Sequence, residues 1–116
     1  MFDTVLSNQG NAYYSSNSSF ICPYTGLYAF FLNVYSYEDT YCGAAIVRDG
    51  EEITATYTGP LAHTVGGSNM AYVECGQGSE VYVLVVTTGG SDCASSQFYR
   101  TSFSGQLVGF TNGTLV

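Results

Sequence analysis

The sequence predicts an all-β domain, folded as a sandwich of antiparallel strands. Short runs rich in tyrosine, valine and phenylalanine alternate between apolar and polar residues with a period of two. Clusters of Gly, Asn, Ser and Pro separate these runs, and no segment has helical periodicity. At 116 residues, with 46% hydrophobic residues, the chain is predicted to form a single domain over residues 1–116 with one core.

Nine strands are predicted along the chain. Asp49-Gly50 is a strong hairpin signal between the fourth and fifth of them, because both residues tolerate the positive φ that a two-residue turn requires. The predicted strands lie near residues 2–6, 19–22, 27–36, 42–48, 52–57, 69–75, 80–88, 97–102 and 103–110.

Two of these strands are apolar on both faces. Residues 27–35 place large apolar side chains at odd and even positions alike, and residues 81–86 form a continuous apolar run. A half-exposed strand alternates instead, so the second face needs a cover. Either a loop or a neighbouring subunit supplies it, and two such strands in so small a domain favour an obligate oligomer.

The charge of the chain excludes several partners. Its formal net charge is -7, and Arg48 and Arg100 are its only basic residues besides the single histidine. Such a surface repels nucleic acid and anionic lipid, and no apolar run approaches the ~18 residues that a membrane span needs. Hydroxyl and amide side chains supply the polar surface, which suits carbohydrate or neutral protein ligands.

The cysteines and two glycosylation motifs favour a secreted, extracellular protein. Four cysteines without a Cys-x-x-Cys pair, beside a single histidine, fit disulfides better than a zinc site. An even number of cysteines suits an oxidising compartment. Asn17-Ser18-Ser19 and Asn112-Gly113-Thr114 are N-glycosylation motifs, so Asn17 and Asn112 are the predicted acceptors.

A set of motifs in a fixed order spans nearly the whole chain. It comprises Phe2, Asn8-Gln9-Gly10, Tyr14, the segment from Phe20 to Phe30 with Cys22, Pro23, Gly26 and Tyr28, then Gly78-Ser79-Glu80-Val81 and Phe103-Ser104-Gly105. In this order the motifs resemble the globular head of complement C1q. The resemblance implies a ten-strand jelly roll, related to the tumour necrosis factors, that assembles as a homotrimer. The absence of lysine and the low charge point to an invertebrate-type, stand-alone member.

The same resemblance raises the question of calcium. Family members that bind calcium at the trimer apex use acidic residues in the loop after the fifth strand. Here that loop, residues 58–67, contains no carboxylate, and calcium prefers several charged oxygen ligands. We therefore expect no metal and no other cofactor.

Two loops are candidate ligand sites. The first follows the third predicted strand, and aromatic faces stack on sugar rings while carboxylates accept hydrogen bonds from sugar hydroxyls. The second spans residues 88–96, and both loops lie at one end of a jelly roll. The alternative interpretation is that these loops are plain solvated turns, with His63 an ordinary surface residue. The candidate ligand residues are Tyr35, Tyr37, Glu38, Asp39, Tyr41, His63 and Asp92.

The position of the loops also bears on the disulfides. A Cys42–Cys93 disulfide would pin both loops, so this pairing is predicted. Cys22 is expected to be a buried free thiol, and Cys75 fits either state.

Catalysis is not expected. The chain has no lysine and no Gly-x-Ser-x-Gly motif, and His63 has no neighbouring acid in the sequence. The leading hypothesis is a secreted pattern-recognition or lectin-like homotrimer that binds glycans or microbial surface molecules in innate immunity. The alternatives are a structural trimerising head in an extracellular matrix, biomineral or adhesive assembly, and a cytokine-like receptor ligand.

Overall fold

The computed structural model describes residues 8–36, 41–58, 65–85 and 101–110. These residues form strands, turns and short connections, with no helix among them. The strands are β1 (Tyr13–Tyr14), β2 (Ser19–Ile21), β3 (Gly26–Ser36), β4 (Cys42–Arg48), β5 (Glu51–Thr58), β6 (Val65–Cys75), β7 (Glu80–Val85) and β8 (Ser102–Phe110).

The eight strands form two antiparallel sheets. The five-stranded sheet has the order β1-β2-β7-β4-β5, and the three-stranded sheet has the order β6-β3-β8. β3 pairs with β6 over its full length, from Gly26 opposite Cys75 to Ser36 opposite Val65. The predicted all-β antiparallel architecture is confirmed.

The core lies between the sheets and is built on the inward face of β3. Tyr28, Phe30, Leu32 and Val34 alternate along this strand and are fully buried. The Phe30 ring stacks on Phe103 of β8, with 5.6 Å between the ring centroids. A period of two therefore fixes which side chains of β3 fill the core.

The Asp49-Gly50 turn has the predicted form. Asp49 and Gly50 have φ angles of 49° and 85°, and Arg48 pairs with Glu51 across the hairpin. The Asp49 N–H donates to the Glu80 carbonyl at 2.9 Å, and the Glu80 N–H donates back to Asp49 Oδ1 at 2.9 Å. The turn is thus tied to the start of β7.

The hydrogen bond that Asp49 Oδ1 accepts from Glu80 also affects the pKa of the Asp49 carboxyl. The Glu80 N–H, followed by the Ser79 side chain, stabilises the ionised carboxylate and lowers the pKa of Asp49 below its ordinary value.

Most predicted strands agree with the structure within two residues. The exceptions are at the ends of the chain and around glycines. β6 begins at Val65 rather than at residue 69, because Gly66 and Gly67 are strand residues although such a pair is typical of a loop. The short β1 was not predicted. Residues 102–110 form one strand, whereas the prediction placed a boundary between residues 102 and 103.

Several predicted segments lie outside the described residues. These are strand 2–6, residues 86–88 at the end of the seventh predicted strand, and residues 97–100 at the start of the eighth.

Candidate functional site

Six strand ends lie together at one end of the sandwich, which we call the loop end. In the three-stranded sheet, Ser36 at the end of β3 pairs with Val65 at the start of β6, and β8 starts nearby, with Ser102 opposite Asn33. In the five-stranded sheet, β4 starts where β5 and β7 finish, with Cys42 opposite Thr58 and Ala44 opposite Val85. Residues 37–41, 59–64 and 86–101 connect these ends.

Two of the predicted ligand residues are described at this loop end. Tyr35 lies near the end of β3, where its N–H donates to Thr101 Oγ1 at 3.3 Å. Its ring lies over Gly66 of the neighbouring strand, so closely that a Cβ there would be 2.6 Å from Tyr35 Cε1. Tyr41 immediately precedes β4, and its side chain is 39% exposed. The predicted residues Tyr37, Glu38, Asp39, His63 and Asp92 lie outside the described residues.

The cysteines fall into two groups. Cys42, at the loop end, is disulfide-bonded, whereas Cys22 and Cys75 are free and buried. The free, buried state of Cys22 was expected. Cys93 lies outside the described residues, so the Cys42–Cys93 pairing stays a prediction.

One of the two predicted glycosylation acceptors is described. Asn17 is exposed in the turn between β1 and β2, where its N–H donates to the Tyr14 carbonyl at 3.1 Å. Glycosylation of Asn17 stays a prediction, and Ser19, which completes its motif, is buried at the start of β2. Asn112 lies outside the described residues.

A second feature is the outer face of the three-stranded sheet, which we call the open face. Phe31 pairs with Met70, and Ala29 pairs with Tyr72, so these side chains are neighbours on β3 and β6. Phe31 is 41% exposed, Met70 36% and Tyr72 63%. The apolar pattern on both faces of residues 27–35 predicted that this face needs a cover, but not which residues of β6 complete it.

The open face also carries a shallow depression of about 280 Å³. Asn33 lies beside it and donates to Ser102 Oγ at 3.3 Å. The depression is lined by Phe31, Asn33, Ser68, Asn69 and Met70.

The structure provides no metal site within the residues it describes. No three side chains of His, Cys, Asp or Glu among them lie close enough together to hold an ion. The loop after β5, where the sequence analysis considered a calcium site, is described only up to Thr58 and again from Val65. The described part of the chain also contains no helix with the length and hydrophobicity that crossing a membrane requires.

Two packed antiparallel sheets with connections gathered at one end define a jelly-roll β-sandwich domain. The sequence model of one family, the C1q domain, matches residues 1–108. The chain therefore belongs to the C1q domain family. Domains of this family are generally non-catalytic binding modules, typically extracellular, and its homologues are homotrimeric.

Solved structures show the same fold. The globular domain of zebrafish complement 1qA superposes with a TM-score of 0.71 at 15% identity, covering 91% of this chain and 80% of that one. Murine APRIL at pH 5.0 superposes with a TM-score of 0.59 at 16% identity, covering 76% of this chain and 70% of that one. Eiger TNF from S. frugiperda superposes with a TM-score of 0.62 at 16% identity, covering 84% of this chain and 69% of that one. No curated protein matches the chain.

Proposed function

We propose that this protein is a secreted, homotrimeric recognition module that binds neutral glycans of microbial or other surfaces through its loop end. Membership of the C1q domain family carries this proposal. The gathering of six strand ends at one end of the sandwich supports it, because binding residues concentrate on loops that a rigid scaffold holds.

The open face supports the trimer. Phe31, Met70 and Tyr72 form an exposed apolar cluster on adjacent strands, and burial of apolar surface contributes about 25 cal/mol per Å². A soluble protein rarely leaves such a cluster in water without a partner. Two further copies of the chain are the proposed cover.

The chemistry of the loop end supports a glycan ligand. Tyr41 is exposed at its rim, and Tyr37, Glu38 and Asp39 precede it in the sequence. Tyrosine rings stack on the apolar faces of sugar rings, and carboxylates accept hydrogen bonds from hydroxyls. A formal charge of -7 per chain disfavours sulfated or sialylated ligands, so neutral glycans are the proposed class.

Assembly would strengthen weak binding. A single loop site is expected to bind a sugar weakly, but a trimer presents three loop ends on one particle. When a surface repeats its glycan at a matching spacing, the second and third contacts are intramolecular and the avidity rises by orders of magnitude.

The experiment is binding of the purified protein to an array of neutral, sulfated and sialylated glycans and microbial polysaccharides. We expect binding to neutral members, and its loss in Tyr41→Ala. Tyr24→Ala is the matched control, because Tyr24 is an exposed tyrosine at the opposite end of the sandwich. No binding by a folded trimer to any glycan, or equal loss in both variants, would contradict the proposal. Ordered assembly without any sugar would favour the structural alternative.

A further inference from the structure

Two cysteines from different sheets meet in the core. Cys22 directly follows β2 of the five-stranded sheet, and Cys75 is the last residue of β6 in the three-stranded sheet. Both belong to the main hydrophobic cluster, with exposed fractions of 0% and 1%. They lie at the end of the sandwich opposite Cys42.

The backbone holds Cys22 against the turn that follows Cys75. The Cys22 N–H donates to the Ser79 carbonyl at 2.9 Å, and the Gly78 N–H donates to the Cys22 carbonyl at 2.8 Å. Each thiol shifts the pKa of the other through hydrogen bonding between the two side chains, so these side chains are neighbours.

The shared hydrogen bond makes the two thiols unequal. It raises the pKa of Cys22, and burial raises that pKa further. The same hydrogen bond lowers the pKa of Cys75 against the opposing effect of burial, because it stabilises the Cys75 thiolate. The pKa values of Cys22 and Cys75 thus depend on each other in the folded protein, as expected for two neighbouring thiols.

We propose that Cys22 and Cys75 form a disulfide that cross-links the two sheets when the chain folds in the presence of a small-molecule disulfide such as oxidised glutathione. This cross-link would secure the end of the sandwich remote from the loops, while the disulfide of Cys42 lies at the loop end. The proposal does not depend on the ligand proposed above.

The chemistry is two successive thiol–disulfide exchanges. One of the two cysteines, as its thiolate, attacks one sulfur of oxidised glutathione, forming a mixed disulfide and releasing one glutathione thiolate, which takes up a proton. The other cysteine then loses its proton and attacks the cysteine sulfur of this mixed disulfide, which releases the second glutathione as a thiolate that takes up a proton. The two cysteine thiols are oxidised by two electrons, and one oxidised glutathione is reduced to two thiols. Because both cysteines are buried in the folded protein, the reaction belongs to the folding chain.

The test is refolding of the reduced protein in a mixture of reduced and oxidised glutathione, followed by acid quenching, alkylation and non-reducing peptide mapping. Trypsin leaves Cys22 and Cys42 on one fragment, since Arg48 is the first cleavage site and the chain has no lysine. A glutamate-specific protease separates all four cysteines. They fall on fragments 1–38, 39–51, 75–80 and 81–116.

We expect fragments 1–38 and 75–80 to be joined, at a mass about 2 Da below the sum of the two thiol fragments. Cys75→Ser should remove this product, leaving Cys22 available to an alkylating reagent only after denaturation. Alkylation of both cysteines in refolded protein whose Cys42 is oxidised would overturn the proposal, as would a link from Cys22 to fragment 39–51 or 81–116. This assay uses the wild-type chain, so it does not require that the variant fold.

Stability provides a second readout. Closing so long a loop restricts the unfolded chain, so the oxidised protein should melt on the order of 10 °C higher than protein without this bond. A reductant should therefore lower the melting temperature of the wild type more than that of Cys75→Ser, in which only the disulfide of Cys42 remains to be reduced. Equal shifts would count against a cross-link between the sheets.

Discussion

At the scale of single residues, the contact between Gly105 and Phe30 shows how tightly the sandwich is packed. A Cβ at Gly105 would lie 2.5 Å from Phe30 Cδ1. The Phe30 ring has no room to move away, because the Phe20 ring packs edge-on against it and the Phe103 ring stacks on it. The centroids of the Phe20 and Phe30 rings are 5.4 Å apart. β8 can pair with β3 at this position only because residue 105 has no side chain.

Gly105→Ala should therefore destabilise the fold by about 2 kcal/mol, through the overpacking of a core that cannot relax. Urea unfolding followed by circular dichroism measures this loss. Gly109→Ala is the matched control in the same strand, because a Cβ there meets nothing within 4 Å. Equal stability of the two variants would show that Phe30 is free to move.

Asp49→Asn should make stability less dependent on pH. The pKa of Asp49 is lower in the folded than in the unfolded protein, so its contribution is present above the unfolded value of about 3.9 and is lost as the pH falls through the folded pKa. The carboxyl is exposed, so the variant should be less stable by under about 1 kcal/mol near neutral pH. The urea midpoints of the wild type and Asp49→Asn should converge as the pH falls from neutral to acid. A difference that stays constant would exclude the Asp49 carboxylate as the cause of the pH dependence.

At the scale of elements, the hairpin between β4 and β5 depends on Gly50. Its φ of 85° is strained for a residue with a side chain, so Gly50→Ala should cost about 1 kcal/mol. Gly76→Ala is the control from another turn, since Gly76 has no positive φ and a Cβ there would have only the Ser79 hydroxyl within 4 Å, at 3.8 Å. Thermal unfolding measures the stability of the two variants. Equal melting temperatures would contradict the conclusion that a side chain at residue 50 strains the turn.

The elements that sequence predicts well are those whose chemistry is local. Residues 42–48 read as a strand because an apolar run leads directly into Asp49-Gly50, and β4 has these bounds. The start of β6 could not be predicted, because Gly66 and Gly67 have low strand propensity. They join the strand by pairing with Tyr35 and Val34 of β3, which are distant in sequence.

The candidate site was predictable to a smaller extent. Apolar residues at odd and even positions of 27–35 indicated a covered outer face, and the open face lies there. The contribution of Met70 and Tyr72 depends on the register between β3 and β6, which single-strand patterns do not contain. The meeting of Cys22 and Cys75 depends likewise on how two sheets pack.

At the scale of the whole molecule, the open face should determine assembly. Tyr72→Asp places a charge among Phe31, Met70 and their neighbours. It should therefore raise the dissociation constant of the proposed trimer by at least about tenfold. Leu84→Asp is the control, because Leu84 is 51% exposed on the five-stranded sheet. Sedimentation velocity over a concentration series distinguishes the two, and equal behaviour would place the interface elsewhere. Circular dichroism checks that both variants fold.

The most direct test of the central claim is the mass of the wild-type protein in solution, measured by light scattering across a range of concentrations. A C1q-domain recognition module should have a mass near three times 12.4 kDa, with or without a calcium chelator. A mass of 12.4 kDa at every concentration would contradict the account, because a monomer has no multivalent loop end and leaves Phe31, Met70 and Tyr72 in water.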